Sequence, residues 1–115
     1  MIARVWKARA TVERAADYAA YLKASVVPEL AAIPGYQGAT LLERERNGVV
    51  EVTVVTWWDS LDSIRAFAGE RLETAVVHET AARMLLDFDR EVAHHRVAYD
   101  SRSGHTGIKA DRTVL

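Results

Sequence analysis

Between residues 51 and 68 the apolar positions first alternate and then recur by threes and fours. Val52, Val54, Thr56 and Trp58 fall on one side of an extended chain, and Thr53, Val55 and Trp57 on the other. β-Branched and aromatic residues fill both sets, which predicts a strand covered on both faces. Leu61, Ile64, Phe67 and Ala68 then make one helical stripe, so the strand runs directly into a helix. Asp59 or Ser60 supplies a capping oxygen, Asp62 places negative charge in the first turn, and Gly69 ends the helix.

The same reading extends outwards. Residues 2–10 alternate as a first strand, with Ile2, Arg4, Trp6 and Ala8 on one face. Thr11 caps a helix whose apolar positions (Ala15, Tyr18, Ala19, Leu22, Val26, Leu30 and Ile33) are spaced by three or four. Pro28 lies inside that stripe and must kink or split the helix, because it lacks an N–H. Residues 33–38 form a turn. Residues 39–46 form a second strand, and Asn47-Gly48 joins it to the third as a hairpin. Leu72, Ala75, Val76 and Glu79 suggest a short helical piece, residues 81–85 one more turn, and residues 88–99 a closing strand. The order β-α-β-β-α-β predicts an α+β, ferredoxin-like domain over residues 1–99, with an antiparallel four-stranded sheet and helices on one face. The other face carries few polar positions, so a homodimer that buries two such faces against each other is expected. The polar tail, residues 100–115, is expected to pack on the partner subunit.

Composition narrows the function classes. The 115 residues are half hydrophobic, and acids and bases balance to a net charge of −1. That argues against a nucleic-acid surface, which needs concentrated basic charge. No apolar run approaches the ~20 residues of a membrane span, and residues 1–10 lack the apolar core of a signal peptide. A cytoplasmic protein is the simplest reading. With no cysteine, thiolate chemistry, iron–sulfur clusters and Cys–zinc sites are excluded. Gly-rich phosphate loops, dinucleotide fingerprints, HExxH and Gly-x-Ser-x-Gly are absent as well, so nothing supports a flavin or nicotinamide.

The stretches MIARVWKA, IPGYQG, VTWWDSLDSIRAFAGE and LLDFDREVAHHRV resemble the antibiotic-biosynthesis monooxygenase family, most closely its short bacterial members. The resemblance covers about residues 1–99. It implies a dimeric α+β barrel with a pocket between helices and sheet in each subunit. It also implies one of three activities: oxidation of polycyclic phenols by O₂ without a cofactor, oxidative cleavage of haem, or ligand binding without catalysis. In the haem-cleaving branch a histidine after the second helix binds iron, and His78 stands in that place. The asparagine and tryptophan that accompany it there have no counterpart at residues 7–9 and 67–70.

Six residues are candidates for chemistry. His78 and His94 are the candidate catalytic groups, since a neutral imidazole near pH 7 can take a proton from a phenolic substrate. His78 is also the candidate haem ligand, should the cofactor be haem rather than none. His94 and His95 are adjacent on a strand and face opposite ways, so they cannot clamp one metal. Trp6 and Trp58 offer flat walls for a planar aromatic ligand, with core packing as the competing reading for each. Tyr36, with Tyr18 and Tyr21, offers hydroxyls. Arg4 shares a face with Trp6 and, if buried, needs a carboxylate such as Asp87, Asp89 or Glu91. The reading is a small cofactor-independent monooxygenase acting on a planar aromatic compound, with a haem protein or a non-catalytic binding dimer as alternatives.

Overall fold

The computed structural model describes residues 1–103. The long strand β3 (Val49–Trp58) sits inside the sheet, antiparallel to β1 (Ile2–Thr11) on one side and β2 (Tyr36–Arg46) on the other. Its burial alternates without a break. Val50, Val52, Val54, Thr56 and Trp58 are buried, and the residues between them are half-buried. The strand expected to be covered on both faces is therefore covered on one within the single chain. Asn47 and Gly48 both take positive φ, 54° and 80°, at the hairpin tip, as a two-residue turn between twisted strands requires.

Among the described residues the α-helices lie over the face that Val52 and Trp58 present. α1 (Val12–Tyr21) is capped by Thr11, whose hydroxyl accepts from the Arg14 N–H. Pro28 does not break the helix. Instead the chain widens into a π-helical segment, Leu22–Val26, closed by a bond from the Val27 N–H to the Leu22 carbonyl, and continues as α2 (Val27–Ala31) with Pro28 in its first turn. A first turn needs no N–H from proline, so the widened segment absorbs what an α-helix could not. α3 (Leu61–Ala68) is capped by Ser60, whose hydroxyl accepts from the Ser63 N–H. Ile64 of α3, Leu30 of α2 and Trp58 pack as one cluster. Tyr18, Leu22, Val52, Val54 and Ala8 form the centre of a second, larger one.

Two expectations fail in the last third. Residues 70–78 are not helical, and only α4 (Glu79–Met84) forms a helix there. The closing strand is broken into β4 (Asp87–Phe88) and β5 (Ala93–Arg96), both antiparallel to β1, with a register change of two residues between them. One cause underlies both departures. Residues 90–92 leave β1 and pair with 73–75 instead: Ala75 N–H donates to the Arg90 carbonyl at 2.8 Å and Val92 N–H to the Glu73 carbonyl at 2.7 Å. A ladder formed with a distant segment overrides weak local helix preference. The sheet order β2-β3-β1-β4, with β5 continuing β4 along β1, is the ferredoxin-like order expected.

The opposite sheet face carries Val5, Thr53, Val55 and Trp57, all half-buried. The first residues of the tail lie against it: the Arg102 guanidinium sits 4.2 Å over the Trp57 ring and bonds Asp100. The expectation that the tail packs on a partner concerns mainly residues 104–115, which lie outside the described residues. Among the described residues no helix is long and apolar enough to cross a membrane, and no three metal-ligating side chains cluster.

Candidate functional site

A cavity of about 80 Å³ opens between the helices and the sheet. β1 and β3 contribute Arg4, Trp6, Val54 and Thr56 to its floor. Tyr18, Tyr21 and Leu22 come from the first helical layer and Phe67 from α3. Residues 75–78 close the far side, and Glu29 and His78 stand at the rim. Alternation along β1 puts Arg4 and Trp6 on the same side, and the break in the last strand frees residues 73–77 to cross over them.

Trp6 is anchored rather than merely packed. Its indole N–H donates to the Asp89 carbonyl at 2.7 Å, and its ring lies 6.2 Å from both Tyr18 and Phe88. Burial pushes the Tyr18 phenol well above its ordinary pKa, so it stays protonated and serves as a wall. Thr56 is buried, and its hydroxyl accepts the Trp58 indole N–H at 2.8 Å.

Arg4 departs most from expectation. It is only 5% exposed, yet no carboxylate pairs with it among the described residues. Asp87 and Asp89 are taken by Arg9 instead. Arg4 Nη1 donates to the Leu72 carbonyl at 2.6 Å and to His94 Nε2 at 3.0 Å, and Nη2 donates to the Thr74 carbonyl at 3.0 Å. Its guanidinium carbon lies 5.7 Å from the Phe67 ring centre. Burial lowers its pKa to about 10, partly offset by the nearby Glu73 carboxylate. The group remains a cation at neutral pH.

Of the six candidates, Arg4, Trp6 and His78 line the cavity, whereas Trp58, Tyr36 and His94 do not. Trp58 is fully buried beneath the floor, stacked on Phe67 at 6.2 Å and edge-on to Tyr36 at 5.5 Å. Burial also raises the Tyr36 phenol pKa. His94 sits one layer back. A guanidinium can only donate, so His94 Nε2 must accept, and the ring is neutral with its proton on Nδ1. Its pKa is lowered by burial first and by Arg4 next. His78 precedes α4, with its side chain 56% exposed and Nε2 4.0 Å from Glu29. Sequence reasoning missed Phe67, Glu29, Val76 and Val77 as wall residues. Phe67 had a signal, its place on the apolar stripe of α3. Residues 75–77 had none, because only the pairing with 90–92 brings them over the cavity.

Residues 1–78 match the antibiotic biosynthesis monooxygenase family, well over half of the chain. The chain belongs to this family. Its fold recurs in solved structures at low identity. A presumed antibiotic biosynthesis monooxygenase from Bacillus cereus superposes with a TM-score of 0.63 at 11% identity, over 95% of this chain and 98% of that one. A second, from Deinococcus radiodurans, gives 0.58 at 12% identity, over 96% and 100%. The haem-degrader MhuD of Mycobacterium tuberculosis, with two haems in its active site, gives 0.56 at 18% identity, over 87% and 98%. No curated protein sequence matches the chain. Sequence and fold thus place it among antibiotic biosynthesis monooxygenases, and the cavity lies between helices and sheet, where the family resemblance puts the pocket.

Proposed function

We propose that the protein is a small monooxygenase acting on a planar aromatic compound in this cavity, without a resident cofactor. The observation that carries the proposal is the wall of Trp6, Tyr18 and Phe67 around a buried cation and a rim histidine, in a chain of this family. Flat apolar walls hold a ring system, and a few polar groups orient it. His78 is the histidine placed to take a proton from an activated carbon or phenol. His94 is not, because its lone pair is committed to Arg4. The carbanion formed then reduces O₂ directly. One oxygen atom bonds to carbon as a carbonyl while the O–O bond breaks, and the other leaves as water with the two hydrogens of the oxidised carbon. The protein contributes a positioned base and exclusion of water.

The second reading, haem binding through His78, draws on the rim position of His78 and on the fold shared with MhuD. The donor type suits iron. At about 80 Å³ the cavity is smaller than the roughly 300–1,000 Å³ of pockets for drug-sized ligands, so either occupant needs the wall to give. A porphyrin demands that the whole 75–78 wall move, and a small aromatic far less.

Oxygen uptake with anthrone tests the proposal. We expect consumption above autoxidation, formation of the ketone and water without peroxide, and a loss of about 10²-fold or more in His78→Ala, the usual contribution of a positioned base. Uptake no faster than without protein sinks it.

A further inference from the structure

Arg4 is a buried cation in the wall of an apolar cavity, and among the described residues no carboxylate forms an ion pair with it; the Glu73 charge acts on it without a bond. Its donors are only partly used. Both Nη1 hydrogens and one Nη2 hydrogen are taken by the Leu72 and Thr74 carbonyls and by His94. The Nε–H and the second Nη2 hydrogen have no partner among the described residues. No fully buried side-chain polar atom lacks a partner, so the unpartnered Nε is not fully enclosed, and Arg4 itself lines the cavity. A buried charge without its counter-charge is costly. Three acceptors that are all neutral reduce that cost without cancelling the charge. His94 contributes a neutral acceptor, which helps to hold the guanidinium without cancelling its charge. Among the described residues the one carboxylate on the cavity wall, Glu29, stands at the rim beside His78 with its side chain 57% exposed.

We propose that Arg4 is an anion-binding residue, and that the cavity takes an aromatic compound carrying an anionic oxygen group, either a carboxylate or the phenolate of an acidic phenol. His94 is a positioning residue for Arg4. This deepens the monooxygenase reading by naming the charge of the ligand, and it rests on that reading only for the reaction, not for binding. A guanidinium matches two oxygens in one plane, and Phe67 and Trp6 flank the space where a ring bearing them lies. A phenol bound there loses its proton to solvent more readily, because the cation favours the charged form.

Isothermal titration calorimetry of the full chain with 2-naphthoate and with 2-naphthamide separates charge from shape, since the two are nearly isosteric. We expect the anion to bind about tenfold or more tighter, as one charge-assisted hydrogen bond implies. Arg4→Gln removes that preference, and Arg44→Gln, on an exposed stretch of β2 outside the cavity lining, keeps it. A parallel absorbance titration of 2-naphthol distinguishes the second source: with a phenolate site, the naphthol ionises at lower pH on the protein than in buffer, and Arg4→Gln reverses the shift. Equal binding of the naphthoate pair together with an unshifted naphthol overturns the proposal, as does binding of none of the three. That comparison uses the wild-type chain alone, so it decides the matter even if Arg4→Gln does not fold. Anion preference without oxygen uptake leaves the site standing and removes the oxygenase. Oxygen uptake without anion preference does the reverse.

Discussion

Arg4 Nη1 and His94 Nε2 lie 3.0 Å apart, and the bond exists only while the imidazole is neutral. Protonation puts a second cation against the guanidinium. His94 is also faced by Glu73, which favours its charged form, and by His95, which opposes it. Burial and Arg4 dominate, so the folded-state pKa lies below the ordinary 6.5. As pH falls through 6.5, the unfolded chain takes up a proton at this position before the folded one does. Stability therefore declines with falling pH until the folded-state pKa is passed, and is independent of this group above neutral pH. His94→Gln keeps an acceptor for Arg4 and cannot titrate. Melting temperatures from pH 7.5 to 5 should show a decline in the wild type that is smaller in His94→Gln. Parallel curves for the two proteins count against the pairing.

Trp6 and Trp58 should separate by phenotype. Trp58 is fully buried away from the cavity, and Trp6 lines it with its N–H on the Asp89 carbonyl. Trp58→Phe loses ring volume and the bond to Thr56, and should lower unfolding free energy by about 1–3 kcal/mol with ligand affinity little changed. Trp6→Phe loses one hydrogen bond, about 1 kcal/mol, but alters the wall, so it should change 2-naphthoate affinity more. Urea melts and calorimetry on both variants give the two numbers. A larger affinity change in Trp58→Phe reverses the assignment.

Where neighbours in sequence determine structure, the sequence was legible. Alternation from Val50 to Trp58, the Asn47-Gly48 tip, and the Thr11 and Ser60 caps are all local, and all appear. Pro28 was legible as a disturbance but not as a π-helical segment, because the outcome depends on whether packing of Leu22 and Leu30 outweighs breaking the helix. The candidate site was half legible. Period two placed Arg4 and Trp6 together correctly. It placed Trp58 on the same face, also correctly, yet could not say that α3 covers it. Two of the three partners of Arg4 were illegible because they are carbonyls of a segment with no pattern of its own, held by a ladder between residues 73–75 and 90–92.

Gly35 tests the turn that joins α2 to β2. Its φ is +96°, and a Cβ there overlaps the Ser63 hydroxyl and the Asp59 carboxylate. Its carbonyl also accepts the Asp59 N–H at 2.9 Å, tying the turn to the start of α3. Gly48 has φ +80° but open space around it. Gly48→Ala carries backbone strain alone, about 1 kcal/mol, whereas Gly35→Ala adds a clash and should cost about 2–4 kcal/mol. Denaturant midpoints measured side by side check the ranking. Equal losses mean that the Ser63 and Asp59 side chains swing aside freely.

The half-buried outer face of Val5, Thr53, Val55 and Trp57, with Leu42 52% exposed beside it, predicts self-association. An antiparallel sheet in a chain this small does not leave such a face in water. Sedimentation equilibrium should give twice the 12.8 kDa of the chain. Val55→Glu, pointing outward at the centre of that face, should give the monomer mass with the fold kept. A wild-type monomer at ~100 µM, a concentration where even a weak dimer of Kd ~1 µM is mostly assembled, removes the dimer from the description.

Haem is decided by one residue at the cavity rim. His78 presents an exposed imidazole, with Glu29 4.0 Å from its Nε2 and residues 75–77 next to it on the cavity wall. His78 would be the residue to hold the iron, and a group as large as a porphyrin would need the cavity of about 80 Å³ to widen. Hemin titration of the wild type and of His78→Ala, followed by absorbance, should therefore give the same weak shift in each, as adventitious binding to an apolar surface does. A saturable Soret shift present in the wild type and lost in His78→Ala makes His78 an iron ligand. The 75–78 segment is then a gate that opens for a porphyrin, and the cofactor-free reading falls, while the anion site at Arg4 becomes a candidate partner for a porphyrin propionate.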